Sequence, residues 1–102
     1  MSVDGYVLRG PEGAITVTPA ALQRLVVAAA ESVDGARVRR PRRGLSLTIA
    51  GTRTEVSLEL VARDGVVLPD LGRAVQERVA GALAATCDLD VARVDVAIEE
   101  VG

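Results

Sequence analysis

The chain has 102 residues, 49% apolar and 25% charged, with a net charge of −2. That length holds one small domain, and the composition is that of a globular chain rather than a disordered one. There is no His, Lys, Phe or Trp, one aromatic (Tyr6) and one Cys (Cys87), which removes the usual near-neutral general base, the commonest metal ligand, the aromatic platforms that stack bases and any intramolecular disulfide.

Charge is uneven along the chain. Residues 1–53 carry eight Arg against four acids, and residues 54–102 carry four Arg against ten, balances of +4 and −6. Such polarity favours ordered contacts, with its own kind or with a charged surface, over uniform affinity for polyanions. No apolar run approaches the 18 residues of a membrane helix, and the N-terminus lacks the basic and apolar regions of a signal peptide. A soluble cytoplasmic protein is expected.

Residues 1–12, with Gly5, Gly10 and Pro11, read as an irregular lead. A single domain is expected over 13–102. Ala14–Val17 is a brief strand. Thr18 before Pro19 is a helix start, and Leu22, Leu25, Val26, Ala29, Ala30 and Val33 keep helical spacing over about 19–33, until Gly35 stops the helix. Ala36–Arg39 is a short strand ended by Pro41. Leu45, Leu47 and Ile49 alternate with polar residues, and after a turn at 50–53 so do Val56, Leu58, Leu60 and Ala62, which predicts an antiparallel hairpin.

Asp64-Gly65 turns the chain, and Pro69-Asp70 starts a second helix whose stripe is Leu71, Val75, Val79, Ala82 and Leu83. Gly72 lies at the edge of that stripe, where it would permit close packing on a sheet; Gly81 lies outward. The last strand, 91–101, turns Val94, Val96 and Ile98 inward and Arg93, Asp95 and Glu99 outward. The order β-α-β-β-β-α-β with half-polar strands predicts an α+β fold. It is a two-layer α/β sandwich whose mixed sheet carries two helices on one face. The other face is expected open, with Arg37, Arg39, Glu55, Glu59, Arg93 and Asp95.

The densest charge feature is Arg37, Arg39, Arg40, Arg42 and Arg43, five arginines in seven residues. It reads first as a solvated loop beside the acidic half; as a functional feature it is the candidate partner-binding segment, with protein contact favoured over anionic lipid heads. The alternative is a small nucleic-acid-binding module in which these arginines contact phosphates. The acidic net charge and lack of a recognition signature oppose it. Cys87, at a helix end beside Asp88, reads as a small core hydrophobe rather than a nucleophile. The spacing of Asp88, Asp90 and Asp95 misses a calcium loop. Glu55, Glu59 and Glu99 are expected to pair with Arg37, Arg39 or Arg93 rather than form a catalytic carboxylate pair. The outward helix faces (Ala20, Arg24, Val27, Ala28 and Glu31; Arg73, Glu77, Ala80, Gly81 and Ala84) are rich in small residues and suit close approach of another protein. No enzyme activity, cofactor or metal is expected.

Gly13–Val17, Glu31–Gly35, Asp64-Gly65, Leu68-Pro69, Ala74–Val79, Thr86–Val91 and Val94–Ile98 together resemble the alkaline-shock protein family of Gram-positive envelope stress proteins, over about residues 13–101. The resemblance implies a non-enzymatic cytoplasmic protein in cell-wall homeostasis. It would form homo-oligomers and gather at the inner face of the membrane through a small integral-membrane anchoring protein or a paralogue.

Overall fold

Local sequence decides where each helix begins and ends. In the computed structural model, which describes residues 6–10, 12–39, 45–51 and 53–100, α1 spans Pro19–Glu31. Thr18 precedes it in extended backbone, and its hydroxyl accepts the Ala21 N–H at 3.2 Å. Pro19 fills the first turn, where a missing N–H costs nothing. α2 spans Leu68–Cys87. Val67 gives it no side-chain cap, so Pro69 and the Asp70 carboxylate, favoured at the positive end of the helix, define its start. It closes at Asp88, whose φ of +55° is left-handed. There the Asp88 N–H bonds the Ala84 carbonyl and the Leu89 N–H bonds that of Leu83.

Four strands form a mixed sheet: β3 (Ala36–Val38), β4 (Leu45–Ala50), β5 (Arg53–Ala62) and β6 (Asp90–Glu100). β5 is the spine. On one side β3 and β4 pair antiparallel with successive stretches of it, Ala36 opposite Ala62 and Leu45 opposite Leu58. On the other side β6 runs parallel, from Asp90 opposite Arg53 to Glu100 opposite Ala62. The parallel return is what the α2 crossover provides. β4 and β5 close over a two-residue loop after Ala50, with Gly51 at φ +63°, the sign a tight hairpin requires.

Alternation on β5 sets the layers. Thr54, Val56, Leu58, Leu60 and Ala62 are buried, while Glu55, Ser57 and Glu59 are exposed. Leu22, Val26 and Ala30 of α1 and Val75, Val79, Leu83 and Cys87 of α2 cover the buried side. Each large apolar side chain removed from water contributes about 1.5–3 kcal/mol. The result is the expected two-layer sandwich with both helices on one face.

Two local features differ from expectation. Residues 6–10, read as irregular, form β1 (Tyr6–Gly10), antiparallel to β2 (Gly13–Val17) with Gly10 opposite Gly13. A five-residue run punctuated by glycines carries too little alternation to declare itself, but a two-residue connection closes it into a hairpin. This hairpin is a sheet of its own, so the strand at 13–17 does not extend the main sheet. The second feature is a bulge. Thr54 faces Val91 but Glu55 faces Arg93, which leaves Ala92 as the extra residue. Val91 and Val94, three apart, therefore both pack on the core.

Candidate interaction surface

The alternation that buries one side of the sheet leaves Arg37, Arg39, Glu55, Glu59, Arg93 and Asp95 exposed on the other. β3 comes from the basic half of the chain and β6 from the acidic half, and both flank β5, so the two signs meet there. Arg39 Nη1 donates to both carboxylate oxygens of Glu99, at 2.9 and 2.7 Å, reaching across β5. This is the cross-strand pairing expected of Glu99. Both side chains are at least half exposed, and such a pair is worth about 0–1 kcal/mol, so it orders the surface more than it holds the fold.

Arg93 stands opposite Glu55 in the β5–β6 register and its Nε bonds the Asp95 carboxylate at 2.9–3.1 Å. Asp95, first through this hydrogen bond and then through its charge, raises the guanidinium pKa above its ordinary value, and Glu55 adds to the effect. The guanidinium stays charged and directed along β6.

The basic segment divides. Arg37 is exposed on β3 and Arg39 is committed to Glu99, whereas Arg40, Arg42 and Arg43 lie outside the described residues. A shallow cleft of about 520 Å³ opens beside Arg37, lined also by Gly35, Val61, Arg63 and Asp64. Arg63 is clamped by Asp34 at 3.0 and 3.2 Å, a pair that spacing alone did not reveal. Glu31, exposed on α1 as expected, accepts the Val38 N–H at 3.0 Å and ties the helix end to β3.

Sequence reasoning missed one further feature. Among the described residues β6 pairs with β5 alone, so its outer edge is open along eleven residues. Gln76 of α2 reaches the β6 backbone, its Nε2 donating to the Val94 carbonyl at 3.0 Å. Which strand lies at an edge depends on topology, and single-strand alternation carries no sign of it. Cys87 is buried at the end of α2, and burial pushes its thiol pKa up, which suits a core hydrophobe.

A mixed sheet shielded on one face by two helices, with a parallel crossover through the second, defines a two-layer α/β sandwich. Solved structures that share this fold include forms of the MamM CTD. A copper form is 22% identical, with a TM-score of 0.64 over 81% of this chain and 98% of that one. A cadmium form is 23% identical, with a TM-score of 0.64 over 81% and 96%. A nickel form is 21% identical, with a TM-score of 0.64 over 81% and 99%. No family model and no curated protein matches the chain.

These findings correct the family expectation. The structural neighbours are forms of the MamM CTD and not alkaline-shock proteins, and the envelope-stress and cell-wall role falls with the resemblance. The segments that carried it were glycine turns and apolar alternation, which sandwiches of this element order repeat whatever they do. Among the described residues nothing fits the metals of those structures. The chain has no His, no described cluster of three Cys, Asp or Glu could hold an ion, and the Cys87 thiol is buried.

Proposed function

We propose that this chain is a non-catalytic interaction domain that assembles with a second copy of itself. The outer edge of β6 carries the reading. It is eleven residues long, unpaired on that side among the described residues, and bordered by a face of ordered opposite charges. Such an edge offers a row of backbone donors and acceptors to another strand, and proteins either blunt it or use it. Valines and an isoleucine alternate along it with no proline, and the bulge at Ala92 and the Gln76 contact at Val94 interrupt only its first half.

The reading keeps a second contact, with a membrane-anchored protein or paralogue at the cytoplasmic face, made by Arg37 and the basic segment that follows. Among the described residues no helix is long and apolar enough to cross a membrane. Sedimentation velocity over a wide concentration range tests self-association: a species of twice the chain mass should form and dissociate on dilution. Monomer at every concentration and at low salt refutes it.

A further inference from the structure

We infer that two copies join edge to edge through β6, antiparallel about a two-fold axis passing through Val96. The inference rests on the self-association proposed above and goes further by naming the strand, its direction and its register. A two-fold axis normal to the sheet makes identical edges run antiparallel and keeps the open faces of both copies on one side.

The register follows from which side chains would meet. Beyond the bulge at Ala92, Arg93, Asp95, Ala97 and Glu99 are exposed, while Val94, Val96 and Ile98 are turned toward the helices. A slip of one residue would set opposite faces against each other, so the axis must pass through a residue. Centred on Asp95, the register puts the aspartates of the two copies face to face. Centred on Ala97, it sets Asp95 against Glu99 of the second copy. A centre at Val94 pairs Arg93 with Asp95 but forces Ala97 against Val91, across the bulge where the alternation is broken.

Centred on Val96, the unbulged stretch from Arg93 to Glu99 pairs with itself in full. Arg93 meets Glu99 of the second copy twice over, Asp95 meets Ala97, and Val94 meets Ile98. Opposite charges at directly opposed positions are favourable and like charges are not. Of the four registers, this one alone has two attractive pairs, no repulsive pair and no break.

Backbone direction agrees. In a parallel ladder, alternate residues turn both their N–H and C=O away from the neighbouring strand. The Gln76 bond to the Val94 carbonyl points to Val94 as one of these, and Val96 and Ile98 share its phase. Those three then make the hydrogen-bonded pairs between copies, and Arg93–Glu99 falls on the non-hydrogen-bonded rungs, where side chains stand closest. Gln76 then caps the edge of the free chain and shares or yields the carbonyl on pairing. Glu99 already takes Arg39 from its inner flank, and Arg93 is braced by Asp95. Joining the edges completes two ladders of alternating charge, Arg39–Glu99 of one copy continuing into Arg93–Asp95 of the other.

The test uses two charge reversals, Arg93→Glu and Glu99→Arg, in the full chain, with circular dichroism verifying the fold of each. Either variant alone sets like charges opposite each other in both pairs and should weaken the dimer by about tenfold or more. An equimolar mixture restores both pairs in a heterodimer, so its sedimentation should return to that of the natural chain. If the natural chain dimerises and both variants dimerise as tightly, or if the mixture stays monomeric, the β6 register is overturned while self-association stands. If the natural chain itself is monomeric throughout, both readings fall.

Discussion

Replacing Gly81 by alanine should stabilise the protein, by an amount the surroundings of that residue define. It is the fourteenth of the twenty residues of α2, and a Cβ built there meets nothing within 4 Å. The position is exposed, so the added methyl buries little, and the gain is the helix preference of Ala over Gly, about 1 kcal/mol. Gly72 tests the same logic against an expectation from sequence. Its Cβ would meet only Ile98 Cδ1, at 3.5 Å, an ordinary contact. The sheet therefore does not require a glycine there, and Gly72→Ala should give a similar gain. The two sites are nine residues apart, about 13.5 Å along the axis, so the double variant should gain about 2 kcal/mol, additive to within about 0.5 kcal/mol. For a domain of this size that raises Tm by about 8–16 °C. Gly35→Ala is the opposing control: its φ is +92° and its Cβ would stand 2.8 Å from Val66 Cγ2, so it should cost about 1–3 kcal/mol. Thermal and urea unfolding by circular dichroism measures all three. One protein concentration is needed throughout, because association makes Tm depend on it. A lower Tm for Gly81→Ala refutes the reasoning, since it requires something packed against the outer face of α2.

Leu60, fully buried on β5 between Val38 and Ile98, should cost about 2–5 kcal/mol as Leu60→Ala, read from the urea midpoint at unchanged slope. Arg39→Ala should shift stability by less than about 1 kcal/mol, and the shift should shrink in about 1 M salt, as exposed ion pairs do. Cys87 should resist a thiol reagent in the folded protein and react at once in urea. Burial raises its folded pKa above the unfolded value, so the unfolded thiol loses its proton first. The contribution to stability is full below the unfolded pKa and is lost as pH rises through the folded one. Urea midpoints compared at neutral and strongly alkaline pH, with and without Cys87→Ala, check the sign.

Much of the fold was legible because strong local chemistry and period agreed. Thr18-Pro19 marked a helix start, and alternation on β5 assigned Val56, Leu58, Leu60 and Ala62 to the inner face and Glu55, Ser57 and Glu59 to the outer one. What escaped is set by contacts distant in sequence. β1 exists by pairing with β2, and five residues between glycines carry little signal of their own. The bulge had a trace, since Val91 and Val94 are one residue out of phase, but its placement needs β5 as a ruler. The side of β5 that β6 occupies, and hence the free edge, follows from the crossover of α2 and from no residue in β6. The ion pair of Asp34 with Arg63 is likewise a product of the β3–β5 register, which draws the turn before β3 to the end of β5.

The same topology changes what the charge asymmetry means. Along the chain the basic and acidic halves are separate, and that separation suggested a dipolar molecule. In space they are interleaved, because β3 and β6 border one strand from opposite sides. Arg39 neutralises Glu99 across it, and Arg63, from the acidic half, neutralises Asp34, from the basic half. An interleaved face presents no broad basic field to a polyanion, so among the described residues the arginines support nucleic-acid binding less than their density in sequence suggests. Short-range alternation of sign instead suits a surface that must recognise a copy of itself in one register, where the adjacent registers bring like charges together. On β6 a shift of the axis by one residue in either direction places acid against acid, so the charges that look balanced in the sum act as a ruler at the edge.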